Sequence, residues 1–189
     1  MNPVAEHVAA HPLHLVPLLR RNAVVFQVVF AFVWALRFAF VTGSPELPVV
    51  VAAGGAVAGR VAFRATRGMR ARDEFRTPAG KRFLRPVTWL TVAQLVAGFA
   101  LPALAGTVGA DDWALPLLAS TIGMFLVGFG RTLELRAVSG IGIAATVLPL
   151  CLPPLASGDA LAALTAGSLV AALSASVWCC ALAAAADDA

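Results

Sequence analysis

A strongly basic segment between two long apolar runs is the feature that most constrains this chain. Residues 64–85 carry eight Lys or Arg residues against only Asp73 and Glu74. Basic residues at the edges of apolar runs favour the cytoplasmic side of a membrane, so the segment predicts a membrane protein and also its orientation. The basic residues are Arg64, Arg67, Arg70, Arg72, Arg76, Lys81, Arg82 and Arg85.

The composition argues for a membrane protein and against a soluble one. Of the 189 residues, 60% are hydrophobic and 13% are charged, and the mean hydropathy is +0.86. Soluble domains average about 45–50% apolar and about 25% charged residues, and a domain of this size has too little interior to bury the excess. The net charge of +4 and the pI near 9.8 are also found in nucleic-acid-binding proteins. Here the basic residues lie beside apolar runs, so we expect membrane lipids and no nucleic acid as partners.

Six apolar runs predict an all-α, polytopic membrane protein, a bundle of six transmembrane helices. An N-terminal segment, 1–21, is expected to lie along the interface as short turns, because its three prolines interrupt any long helix. The transmembrane domain then covers 22–186 and includes the cytoplasmic loop 64–85. About 20 apolar residues are needed to cross the hydrocarbon core. The six runs are approximately 23–41, 47–63, 86–108, 113–130, 137–156 and 161–186.

The distribution of charge predicts how these helices are oriented. Of the 14 basic residues, twelve fall on the side of the 64–85 loop, and the other two, Arg37 and Arg60, lie within runs. We therefore predict a multi-pass protein of the cell membrane with both termini cytoplasmic. Abundant alanine and the use of Arg over Lys indicate a bacterial source and hence an inner membrane. The turns on the opposite side carry Glu46, Asp111, Asp112 and Asp159, with no Lys or Arg.

Glycines in two of the runs predict close helix packing. Gly55 and Gly59 have the GxxxG spacing that lets two helices approach closely, so the second helix is expected to be central in the bundle. Packing within one chain and packing in a homo-oligomer use this spacing equally, and both remain open. Gly140 and Gly142 loosely resemble a dinucleotide-binding pattern. No strand precedes them, so we interpret them as packing glycines.

Charged and polar residues within the runs are the candidates for binding a substrate or a lipid. Arg60, Arg64 and Arg67 recur with i, i+4, i+7 spacing at the inner end of the second helix. That stripe suits a lipid phosphate or an anionic substrate, but we favour the alternative that the guanidinium groups reach the headgroups by snorkelling. Arg37 lies near the outer end of the first helix, and its Cα–Cβ bond tilts away from the nearer surface. We expect Arg37 to point inward and to contact an acceptor on a neighbouring helix. Gln94 is a further candidate, in the third run.

The chain offers few residues for catalysis or for holding a metal. His7, His11 and His14 have spacing that would place them on one helical face, but Pro12 interrupts that helix and no acidic or thiol ligand is near. We predict no metal site and no cofactor. No His, Asp or Glu lies in the middle of a run, which excludes an intramembrane Ser–His pair and a haem with an axial imidazole.

These observations favour a non-enzymatic binding or structural component of the membrane. One alternative is a small transporter or channel subunit for a small anionic or lipid-like substrate, with irregular backbone supplied by the Gly- and Pro-interrupted third and fifth helices. A transporter should show a polar cavity near Gln94, Arg37 or Arg60. The other alternative is a membrane enzyme acting on lipid, whose acids would have to come from the carboxylates of the outer turns.

One stretch around the fourth helix resembles a known family. The acidic turn, Trp113 to Leu117 with Pro116, and then Gly123 to Leu126 resemble small, six-helix bacterial membrane proteins that are known only as a domain of unknown function. The resemblance covers most of residues 22 to 156 through hydropathy and scattered Gly, Pro and Trp. It implies a six-helix membrane fold and carries no catalytic residue to this chain.

Overall fold

The chain is helical throughout the residues that the structure describes. The structure is a computed structural model, and it describes residues 15–67 and 75–186. A short 3-10 turn, Asp111–Trp113, leads into the fourth helix, and no strand occurs within these two ranges. The predicted all-α fold of six helices is confirmed. The helices are α1 (Leu15–Thr42), α2 (Glu46–Ala65), α3 (Pro78–Thr107), α4 (Ala114–Thr132), α5 (Arg136–Leu150) and α6 (Gly158–Ala186).

Five of the helices in the described ranges are long and apolar enough to cross a membrane, and α5 is shorter. α5 has 15 residues and is therefore about 22 Å long, against a hydrocarbon core of about 30 Å. The predicted run 137–156 is thus a helix that ends at Leu150 and continues as turns. Pro149 lies in the last turn of α5, and Pro153 and Pro154 follow it. Proline has no N–H to donate and clashes with the carbonyl four residues before it, which ends the helix.

α1 begins at Leu15, eight residues before the start of the predicted run at 23. Pro17 does not interrupt it, because the N–H groups of a first helical turn have no intrahelical acceptor and none is lost. Leu15, Leu18 and Leu19 are buried, so the first turn packs against the bundle. Residues 15–21 therefore belong to the helical domain, which corrects their assignment to an interfacial segment.

α3 also begins before its predicted start, at Pro78 instead of Pro86. The hydroxyl of Thr77 accepts a hydrogen bond from the backbone N–H of Gly80 at 3.0 Å and caps the helix. Pro86 then lies inside α3. Lys81, Arg82 and Arg85 are therefore on a helix, and the connection between α2 and α3 is shorter than the predicted loop 64–85.

α4 and α6 form the centre of the bundle, and α3 lies at its edge. Half of the most apolar stretch of α4 and of α6 is buried, against 28% for α1 and α2 and none for α3. α6 contacts α1, α2 and α5, and α3 packs mainly against α4. The small alanine side chains of α6 let its neighbours approach closely on several sides. α2 is therefore an outer helix, and the expectation that it is central is wrong.

α4 and α5 form a closely packed antiparallel hairpin. A Cβ at Gly142 would lie 2.5 Å from the backbone nitrogen of Val127, and a Cβ at Gly123 would collide with the backbone of Ala145 and Thr146. The hydroxyl of Ser120 donates to the carbonyl of Thr146 across the pair at 2.9 Å. Small residues bring the two backbones together, as in other membrane helix pairs.

The antiparallel order of the helices gathers the basic residues at one end of the bundle. The start of α1, the end of α4 and the end of α6 meet there, because Arg20 hydrogen-bonds to carbonyls of Leu133 and Ala183. We call this the basic end. Its described basic residues are Arg20, Arg21, Arg64, Arg67, Arg76, Lys81, Arg82, Arg85, Arg131 and Arg136. The opposite turns hold Glu46, Asp111, Asp112 and Asp159, and we call them the acidic end.

Candidate functional site

Arg20 is buried at the basic end and joins three helices. Only 8% of its surface is exposed. Its Nε and Nη2 donate to the carbonyl of Leu133 at 3.3 and 3.0 Å, and its Nη1 donates to the carbonyl of Ala183 at 3.4 Å. These carbonyls are at the C-terminal ends of α4 and α6, where the helix dipoles place partial negative charge. The Arg20 guanidinium therefore holds α1 against the ends of the two central helices.

The neighbouring Arg21 lies between α1 and the end of α2. Its Nη1 donates to the hydroxyl of Thr66 at 3.4 Å, and its guanidinium carbon lies 5.1 Å from the centroid of the Phe63 ring, which is a cation–π distance. The Nε of Arg21 is buried and has no hydrogen-bond partner. Arg21 thus contacts α2 with part of its guanidinium and keeps one donor unused.

An apolar groove runs between α1 and α2 towards these arginines. Its volume is about 430 Å³, and its floor on α2 is made of the small residues Ala52, Gly55, Ala56 and Gly59. The wall on α1 includes Val25 and Val29, which are 46% and 57% exposed and so face the lipid. Arg21 precedes Val25 by four residues and Arg60 follows Ala56 by four, so both arginines continue the groove lining towards the basic end.

Arg60, Arg64 and Arg67, the predicted lipid-binding stripe, are all exposed on the outside of α2 and the turn after it. The side chains of the three have no hydrogen bond or ion pair to another residue within 15–67 and 75–186. No residue in these described ranges therefore neutralises their charges. Of the three, Arg60 is the one that shares a helical face with the groove floor.

Arg37 does not point into the bundle, so its predicted contact with an acceptor on another helix is wrong. Its side chain is exposed and has no hydrogen bond or ion pair to any residue that the structure describes. Val33, 56% exposed, and Phe40, 89% exposed, lie on the same helical face. The tilt of the Cα–Cβ bond determines only whether a side chain points up or down the helix axis. It does not determine which side of the helix the residue occupies, and Arg37 occupies the side that faces the lipid.

The packing glycines divide into two kinds. Gly55 lies against Val28 of α1, with 2.5 Å between a built Cβ and Cγ1. Gly142 lies against α4. Gly59 and Gly140 have no described atom of another element within 4 Å of a built Cβ, so the packing role predicted for these two is not found among the residues that the structure describes. Gly59 instead forms part of the groove floor.

Gln94 lies beside a polar residue that sequence reasoning missed. Gln27 of α1 is 3% exposed, and it lines a small cavity together with Gln94 of α3. Neither the oxygen nor the nitrogen of its side-chain amide has a hydrogen-bond partner. The signal for Gln27 in the sequence is an uncharged amide within the first apolar run.

Metal ligands do not cluster in the part of the chain that the structure describes: no group of three or more His, Cys, Asp or Glu residues is suitably placed there. His7, His11 and His14 lie outside the described residues. The carboxylates of the acidic end therefore do not form a metal centre of that size within the described ranges.

Comparisons with protein-family models, with curated proteins and with solved structures find no significant match to this chain. The support for a function therefore comes from the described geometry.

Proposed function

We propose that the protein is a non-enzymatic component of the bacterial inner membrane that binds anionic phospholipid at its basic end. The observation that carries this proposal is the apolar groove between α1 and α2. Arg21 and Arg60 are each one helical turn beyond a lining residue, towards the basic end. An acyl chain fits the lipid-facing groove, and a phosphate fits between the unneutralised guanidinium groups. Polybasic segments attract anionic lipids by about 1 kcal/mol for each Lys or Arg near the surface.

The basic end is proposed to be cytoplasmic. Twelve of the 14 basic residues belong to that side by alternation of the helices, and cytoplasmic loops carry the excess of Lys and Arg in membrane proteins. The cytoplasmic leaflet also supplies the anionic headgroups that the proposed site needs. Both termini are then cytoplasmic.

Thiol labelling tests this orientation. In a background with Cys151, Cys179 and Cys180 changed to Ser, we expect a membrane-impermeant maleimide to label Asp112→Cys from outside intact cells. Arg76→Cys is expected to react only after the membrane is opened, and it serves as the matched variant because both positions are exposed. Labelling of Arg76→Cys in intact cells would reverse the orientation.

Lipid retention tests the binding site. We expect the purified protein to retain phosphatidylglycerol in preference to phosphatidylcholine of the same chains, as quantified by mass spectrometry after detergent exchange. Loss of about 1 kcal/mol in Arg60→Gln corresponds to about fivefold weaker retention. Gly59→Leu fills the groove without changing charge, and a comparable loss is expected, since a built Cβ at Gly59 meets no other element.

Two control variants separate a built site from general charge. Arg131→Gln removes the same charge at the same end but lies on α4, away from the groove, and Gly140→Leu adds the same bulk elsewhere. Both should retain phosphatidylglycerol as the unchanged protein does. Equal losses in Arg131→Gln and Arg60→Gln would reject the site. If Gly59→Leu instead abolishes a dimer in size-exclusion chromatography and leaves lipid retention unchanged, the groove holds a second copy of the chain.

The geometry supports this reading over a transporter and over an enzyme. Gln94 lines two cavities: one of about 10 Å³, enough for about one water molecule, and one of about 170 Å³ whose lining is apolar except for Gln94 and Thr121. Arg37 and Arg60 are exposed and line none of the described cavities. A transporter for a small anion needs a polar cavity near those residues, and a lipid-acting enzyme needs acids gathered at one membrane face.

A further inference from the structure

An unsatisfied amide lies within the membrane-spanning part of the bundle. Gln27 follows Arg20 by seven residues, which places it about 10 Å further into the bundle along α1. Its side chain is 3% exposed, and its Oε1 and Nε2 are both without partners. Burying an amide without hydrogen bonds costs on the order of a few kcal/mol. A group that offers both a donor and an acceptor would satisfy it.

The cavity that Gln27 lines has two polar residues in its lining. Gln94 is the second polar residue of its lining, and the remaining lining residues are apolar side chains of α1, α4 and α6. The volume of about 10 Å³ admits one oxygen-sized group. No cationic side chain lines it, so a carboxylate or a phosphate would be unneutralised there. The space therefore suits a single uncharged polar group.

A second, larger cavity lies on the other side of Gln94. It has a volume of about 170 Å³, lies between α3 and α4, and its lining is apolar except for Gln94 and Thr121. Ala93 and Met124 line it and are exposed, Met124 at 62%, so the cavity opens sideways to the lipid. Gln94 and Phe125 line both cavities, so the two cavities are adjacent at these side chains.

We infer that Gln27 and Gln94 bind the hydroxyl head of a lipid-soluble alcohol, whose apolar chain lies in the cavity between α3 and α4. The hydroxyl donates to Oε1 of Gln27 and accepts from its Nε2, so both partnerless atoms are satisfied. Entry from the lipid displaces the side chains of Gln94 and Phe125. The edge position of α3, whose most apolar stretch is not buried, leaves that helix with few neighbours to move.

Photoaffinity labelling of the full-length protein in lipid nanodiscs tests this site. The probes are a long-chain alcohol with a diazirine in its chain and the alkane with the same diazirine and no hydroxyl. We expect the alcohol to label residues around Thr121 to Phe125 about tenfold more than the alkane does, since a hydrogen bond in a dry site separates them. Excess decanol should compete with this labelling, and decane should not.

Two variants distinguish a ligand site from a site that holds only water. Gln27→Met has a similar shape without hydrogen-bonding groups, and it should lower the alcohol's labelling to the level of the alkane. Val96→Leu is a lipid-exposed change on α3 at a residue that lines neither cavity, and it should leave labelling unchanged. Decanol should raise the Tm of the unchanged protein and not that of Gln27→Met.

Three results would overturn the proposal of an alcohol site. Equal labelling by the alcohol and the alkane, or labelling that persists in Gln27→Met, would overturn the proposal and leave a water-filled cavity. Labelling confined to the lipid-facing side of α3 around Phe99 would overturn it too. The lipid groove between α1 and α2 is a separate site, so the outcome for phosphatidylglycerol does not decide this one.

Discussion

Changing Arg20 to Met is expected to lower the free energy of unfolding by about 3 kcal/mol, because hydrogen bonds to a charged group contribute about 1.5–3 kcal/mol each. The variant removes the donors that reach the carbonyls of Leu133 and Ala183. It also leaves helix-end carbonyls without a partner in a region poor in water. Unfolding of the detergent-solubilised protein by sodium dodecyl sulfate, followed by tryptophan fluorescence, measures the change.

Two further variants show whether the geometry of the guanidinium matters. Arg20→Lys keeps the charge but cannot reach both carbonyls as a planar fork does, so we expect an intermediate loss. Arg21→Met removes the same charge one residue later, where the contacts are one 3.4 Å hydrogen bond and one ring, and should cost about 1 kcal/mol or less. An Arg20→Met protein that unfolds with the midpoint of the unchanged protein would show that the contacts do not stabilise the bundle.

Changing Gly142 to Ala is expected to destabilise the protein by about 3 kcal/mol, at the upper end of the usual cost of overpacking. The added Cβ would lie 2.5 Å from the nitrogen of Val127 and 2.9 Å from the carbonyl oxygen of Gly123. Both are backbone atoms of α4, which cannot rotate away as a side chain can. α5 must therefore shift, and the hydrogen bond from Ser120 to the carbonyl of Thr146 is lost with it. The same unfolding measurement applies.

Gly140→Ala is the matched control on the same helix, two residues away. A built Cβ there meets no other element within 4 Å, and alanine favours a helix over glycine by roughly 0.5–1 kcal/mol. We expect this variant to be as stable as the unchanged protein or slightly more stable. Similar losses in Gly140→Ala and Gly142→Ala would mean that helix propensity, and not the α4–α5 contact, sets the effect.

The starts of α1 and α3 were not predicted correctly from the sequence. Pro17 and Pro86 were both interpreted as breaks or starts, yet each lies inside a helix that begins earlier. A proline in a first turn costs no hydrogen bond, and one further along costs about one. Burial of Leu15 and Leu18 and the cap at Thr77 outweigh that cost. Neither the burial of these leucines nor the cap at Thr77 can be recognised from the hydropathy of the sequence.

Only part of the candidate site was predicted from the sequence. Arg60 was identified, since a charge within an apolar run is conspicuous, but Arg20 was interpreted only as a flanking charge. Gln27 was not identified, although it is an amide within an apolar run as Gln94 is. Arg37 was placed on the wrong side of α1. Its position along the helix was known from the sequence, but its position around the helix depends on which face α6 and α4 cover.

Membership of the membrane class, the number of helices and the separation of charge between the two ends are properties of the sequence alone. Each follows from transfer of a segment between water and lipid, which depends on that segment's own composition and length. The tertiary structure decided the rest: that α4 and α6 are central, that Gly142 packs and Gly140 does not, and that Arg20 binds two helix ends. These depend on which side chains meet across helices, because lipid is as apolar as the helix surfaces and only close packing and hydrogen bonds distinguish one neighbour from another.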